Sequence, residues 1–230
     1  MSNYQQSQVN ARLVYENAVK ICARAQVPVP ASKLTQSFLR LEQLIVTTKA
    51  QYQFPILVNN NGPANTLFNT EQRLNQQDSI ITSAWGFYFA IPTSGTDATF
   101  RLLSYASQNA PNFTTAGAAV AAQTVYNSIF NIAVNNTIIV PAWDVFRHIF
   151  IPQTQNGVII TAQTIVPTDQ IDGSGDGFFP VEPNLVWIGS QNIVINLIMP
   201  AAIGTAQAGG FSRLVLIFRG LLAQNSTIIT

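Results

Sequence analysis

The stretch "IITSAWGFYFAIP", residues 80–92, places Trp85, Phe87, Phe89 and Ile91 at every second position, with Ala84, Gly86, Tyr88 and Ala90 between them. On a helix these rings would spread around the circumference, whereas an extended strand gathers them on one side. A face this aromatic belongs in a core or an interface, so a second layer has to cover it. The chain beyond residue 52 supplies that layer. "FPILV" (54–58), "TFRLLSY" (99–105), "VFRHIFIPQ" (145–153) and "GVIITAQTIV" (157–166) read as strands between turn-rich segments. "NSIFNIAVNNTIIVP" (127–141) reads as a hairpin: Asn135–Asn136 gives a two-residue turn, and asparagine tolerates the left-handed backbone such a turn needs. "NLVWI" and "NIVINLIMP", separated by "GSQ", make a second hairpin candidate. "SRLVLIFRGLL" (212–222) is apolar and β-branched along its length, as suits the interior of a sheet. About eight strands spaced by turns predict a mainly β fold, a two-sheet β-sandwich or jelly roll over residues 53–230.

Residues 1–52 have a different pattern. Val14, Ala18, Ile21, Cys22 and Ala25 recur at helical spacing until "VPVP" (27–30) ends the run, since proline lacks the amide donor. Ser32 then caps a second expected helix, on which Leu34, Phe38, Leu41 and Ile45 form one apolar stripe. The expectation is an N-terminal two-helix arm, with that stripe as its assembly surface. No apolar run reaches the ~18 residues of a membrane helix.

Charge narrows the function. Only 9% of the 230 residues are charged, against roughly 25% in average proteins. Solubility falls instead to 20 Asn, 20 Gln, 20 Thr and 14 Ser. Free domains usually keep a charged surface that discourages association. A net charge of +1 on an amide-rich chain points to a surface that packs against copies of itself, where charges would have to be desolvated. The charges are also uneven. Residues 1–50 hold six basic against two acidic residues, while the remainder holds five arginines against eight acids. The basic excess at the N-terminus is a weak signal for nucleic acid.

Reactive constellations are scarce. Asp172, Ser174, Asp176 and Gly177 occupy positions 1, 3, 5 and 6 of a calcium loop, but position 12 is Pro183 and Glu182 falls one residue short. The helix–loop–helix site therefore fails. Asp172, Ser174, Asp176 and Glu182 stand as a minority calcium site on a glycine-flexible loop, and no other cofactor is expected. His148 is the single histidine. On a strand, Asp144 would lie roughly 13 Å from it, too far to orient it. A satisfied structural histidine, and no enzyme, is the expectation. The aromatic strand at 85–91 carries no Arg or Lys, which disfavours a base-stacking platform.

With the N-terminal arm, "NNTIIVPAWDVFRHIFIPQ" and "SRLVLIFRGLL" in place, the chain resembles a jelly-roll type virion structural protein, in particular that of a bacteriophage. The resemblance is one of overall pattern across about residues 53–230. It implies a non-enzymatic capsid or capsid-associated protein, located in the virion, whose partners are its own copies and other virion proteins. The alternative is a carbohydrate- or receptor-binding sandwich, with Trp143 and Trp187 stacking on sugar rings and calcium assisting.

Overall fold

The computed structural model describes residues 33–56, 74–90, 102–104, 123–150, 177–203 and 212–226, together with helical backbone at Arg12, Tyr15, Glu16, Val19, Lys20 and Ala23. Nine strands are present among them: β1 (Lys33–Leu44), β2 (Gln51–Ile56), β3 (Ser79–Ala90), β4 (Leu102–Leu103), β5 (Ile129–Val134), β6 (Thr137–Asp144), β7 (Phe178–Ile188), β8 (Ile193–Ile198) and β9 (Arg213–Gln224). They form two antiparallel sheets. One runs β1-β9-β3, with β7 and the two-residue β4 sharing the far edge of β3; the other runs β2-β8-β5-β6.

The pairing is nested. β1 pairs with β9, β2 with β8, β3 with β7 and β5 with β6, each pair enclosed by the one before. This is a single long hairpin whose innermost turn is Asn135–Asn136. Both residues have positive φ, 49° and 66°, as the sequence predicts for a two-residue hairpin loop. Two further pairings, β3 with β9 and β5 with β8, fold that hairpin over into two sheets.

Alternation decides which side of each strand is buried. Tyr52, Phe54 and Ile56 of β2, Ile193, Ile195 and Leu197 of β8, and Trp85, Phe87 and Phe89 of β3 all enter one core between the sheets. The alternate residues of β3, Tyr88 and Ala90, join Val215 in a second buried cluster on the other side of the five-stranded sheet. The aromatic face read from the sequence is thus core. A bulge between Thr82 and Ala84 shifts the register against both β7 and β9. It switches the inward positions of β3 from even (Ile80) to odd (Trp85), which neither neighbour has to do.

Three expectations are corrected. The second helix does not form, because residues 33–44 are β1, paired with β9 along all twelve residues. Leu, Gln, Arg and Glu favour helix only weakly, and a long apolar neighbour with unpaired backbone groups outweighs that preference. There is accordingly no two-helix arm, and the boundary drawn at 52/53 falls inside β2, with β1 integral to the sandwich. The expected hairpin of "NLVWI" with "NIVINLIMP" is also absent. β7 and β8 lie in different sheets, and Gly189–Asn192 carries the chain between them. Finally, "VFRH" is not strand but a 3₁₀ turn, Val145–His148, capped by the Asp144 carboxylate accepting from the Phe146 amide at 3.0 Å. The strand expected at 157–166 lies outside the described residues, and of 99–105 only Leu102–Leu103 is described as strand.

Candidate interaction surface

The outward side of the β2-β8-β5-β6 sheet follows from register. Gln51, Ile198, Ile129 and Asp144 lie in one row; Gln53, Asn196 and Asn131 in the next; Pro55, Val194, Ala133 and Ile138 in a third. Of these eleven residues only Asp144, at the rim, is charged. In the middle row the Asn196 side-chain amide donates to Asn131 Oδ1 at 2.9 Å. Beside it Ile129 and Ile198, direct cross-strand partners, are 43% and 37% exposed, and Ile138 is 57% exposed. Ile139 is exposed as well. A register break falls between Ile138 and Val140, leaving Ile139 without a cross-strand partner, so both isoleucines stand exposed at this edge. Among the described strands β6 is also a sheet edge, and edges are ordinarily protected with charge. Here Pro141 and two register breaks, rather than charge, protect the edge short of Asp144.

The residues expected to mediate assembly do not share a face. Leu41 and Ile45 are buried in the main core, Leu34 is half-buried, and Phe38 is 47% exposed on the other side of β1. On a strand a step of four keeps the side and a step of three changes it, so Leu34 and Phe38 lie opposite Leu41, and of the four Phe38 is the exposed one. The same side of β1 holds an ion cluster the sequence reading missed. Arg40 Nε donates to Glu42 Oε1 at 2.7 Å, and Arg213 reaches Glu42 Oε2 at 3.4 Å, with Glu42 and Arg213 buried. The signal was Arg40 and Glu42 two apart, one side of a strand but not of a helix.

Trp143, half-buried in β6, and His148, buried in the 3₁₀ turn, form the other polar cluster. The indole Nε1–H of Trp143 donates to His148 Nε2 at 2.9 Å. An indole can only donate, so Nε2 carries no proton, and His148 Nδ1–H donates to the Gly177 carbonyl at 3.2 Å. Burial, opposed by the Gly177 bond, pushes His148 down to about 4, and the Arg147 charge adds to the depression. The ring is therefore neutral at pH 7, the satisfied structural histidine expected. A turn rather than a strand brings it to Trp143. Arg147 lies over the Trp143 and Phe179 rings at 5.1 and 5.4 Å.

Neither indole of the sugar-stacking alternative is free. Trp187 is fully buried, 4.8 Å from Phe218, and the Trp143 ring packs 4.5 Å from Trp85 in addition to its Arg147 contact. Of the calcium candidates, Asp172, Ser174 and Asp176 lie outside the described residues, and Glu182 is an exposed residue of β7. Among the described residues no three acids, histidines or cysteines come together to hold a metal, and no helix is long and apolar enough to cross a membrane.

No family model matches this chain, and no curated protein and no solved structure gives a significant match. The functional reading rests on the geometry above.

Proposed function

We propose that this chain is a non-enzymatic structural protein of a virus particle, a jelly roll that assembles with copies of itself through the outer side of its four-stranded sheet. The observation that carries the reading is the uncharged, partly apolar side centred on Ile129, Ile198 and the Asn131–Asn196 pair. Burying it against a copy removes isoleucine surface from water and desolvates amides that can be re-paired, with only Asp144 at its rim to desolvate as a charge. The nested pairing supports the jelly-roll part, because two sheets of order β1-β9-β3-β7 and β2-β8-β5-β6 are what a rolled eight-stranded hairpin makes. Strand order alone does not fix function, since lectin-type and cupin domains use it too. The scarcity of charge, 9% of the chain, supports the assembling use among these.

Light scattering across a concentration series tests the proposal. The expected outcome is an oligomer or particle, reduced to a monomer by Ile129→Glu with the circular dichroism spectrum retained. A wild-type chain that stays at its 25.0 kDa monomer mass at every concentration overturns it. A glycan-dependent change in tryptophan emission would instead restore the binding-module reading.

A further inference from the structure

We propose that His148 is an acid-operated latch between the two sheets, holding edge strand β6 to the start of β7 while neutral and releasing it when protonated. The ring stands between elements of different sheets. Nε2 accepts from Trp143, the penultimate residue of β6, and Nδ1 donates to Gly177, the residue before β7. Gly177 has a φ of +79° and lies against Tyr88 and Ser104, so its carbonyl is held in place. A proton arriving on Nε2 converts an acceptor into a donor. It then faces the Trp143 N–H, which cannot accept. The N–H···N bond is lost, the Nδ1–H bond to Gly177 is strengthened by the charge, and β6 is the partner that gives way.

The surroundings favour release of β6 over general unfolding. Ile149 and Phe150 follow the turn, and Phe150 is tied to Ser104 twice, by its amide to the Ser104 carbonyl at 3.2 Å and by the Ser104 hydroxyl to its carbonyl at 2.8 Å. The C-terminal end of the turn is thus tied to the five-stranded sheet, and its first residue, buried Val145, donates its amide to the Ser128 carbonyl beside β5, so the movement is confined to β6 itself. β6 itself is exposed along most of its length and, among the described strands, pairs only with β5, through a register broken twice. The charges that act on the ring are its own neighbours: Arg147, which opposes protonation, and Asp144, which favours it. β3, packed against the turn, has no charged residue, and the single acid of β7, Glu182, is exposed. Release places Ile138, Ile139 and Trp143 on a mobile edge. It does not depend on the chain being a virion protein.

The full chain is titrated from pH 7 to pH 3, reading tryptophan emission and amide hydrogen exchange corrected for intrinsic rates. Expected is a reversible red shift together with an at least tenfold rise in exchange confined to β6, while β3 and β9 stay protected. His148→Gln, neutral throughout, should abolish the transition. Trp143→Phe lacks the indole donor and leaves β6 unlatched at every pH, so its exchange should already be raised at pH 7 and should show no further rise confined to β6 on acidification. A transition unchanged in His148→Gln, or exchange rising together in β6, β3 and β9, overturns the latch. If His148→Gln fails to fold, Trp143→Phe decides: β6 exchange that is as slow as wild type at pH 7 and still rises on acidification refutes the proposal.

Discussion

Gly220 is the position where the smallest change should do the most damage. It lies in β9, the strand between β1 and β3, opposite Thr82 at the edge of the β3 bulge. A methyl group there would sit 2.8 Å from the carbonyl carbon of Ile81 and 2.9 Å from the Thr82 Cα, with the Ile81 carbonyl oxygen closer still. Carbon atoms pack comfortably at about 3.5–4.0 Å, so the carbon contacts alone would part the backbones of two central strands by at least about 0.7 Å, and the oxygen contact by more. Nothing flexible can yield, because all three of these obstacles are main chain. Overpacking of side chains costs about 1–3 kcal/mol; with backbone on both sides and the β3–β9 bonds at stake, Gly220→Ala should cost about 3–4 kcal/mol. For a chain of this length each kcal/mol lowers Tm by about 2–4 °C, so a fall of roughly 6–16 °C is expected. Thermal and urea denaturation followed by circular dichroism give both numbers. Gly220→Ala within 1 kcal/mol of wild type would mean that β9 does not pass β3 this closely, and the register across the bulge would be wrong.

Protonation of His148 should also show in global stability. Its value falls from 6.5 to about 4 on folding, so the unfolded chain takes the proton first; stability is intact above pH 6.5 and declines as pH drops through about 4, by up to ~3 kcal/mol. Urea denaturation of wild type and His148→Gln at pH 7 and pH 4 should give that difference between the two proteins, with the variant losing less. Glu42→Gln leaves Arg40 and Arg213 facing an uncharged group in a buried site, and a loss of about 3 kcal/mol is expected in the same assay. Asn136→Val places a β-branched residue at φ 66° and should cost about 1–2 kcal/mol, whereas Asn136→Gly should be neutral or slightly stabilising, as measured by thermal melting.

The strands legible in the sequence were those whose side preference is written in apolar alternation. Trp85, Phe87 and Phe89 could not be reconciled with a helix, and Asn135–Asn136 named its own turn. β1 was not legible, because "KLTQSFLRLEQL" carries two periods at once. Leu34, Phe38 and Leu41 follow the helical step, Leu39 and Leu41 the strand step. The choice is made by β9, about 170 residues away, which offers an apolar edge of matching length. The same non-local cause hid the Glu42–Arg213 pair. His148 was misplaced for a different reason. Asp144 reads as one more strand residue until its carboxylate is seen capping the turn, and the turn is what brings Trp143 within reach of the imidazole.

The two chemical features of this molecule meet on β6. One side of that strand continues the uncharged row of Ile129, Asn131 and Ala133; its C-terminal end carries the indole that the imidazole holds. A strand used as a docking edge gains from being fixed before it binds, since ordering it on association would consume part of the interface energy. The Trp143–His148 bond supplies that fixation without placing a charge at the surface, because the depressed pKa keeps the ring neutral at pH 7. A lysine or arginine in place of His148 would add a further ion to the exposed Asp144 and Arg147 already at this end of β6, and with it a further desolvation cost beside the face proposed to pack against a copy. An uncharged clamp suits an uncharged surface, and acid is the condition under which both would fail together.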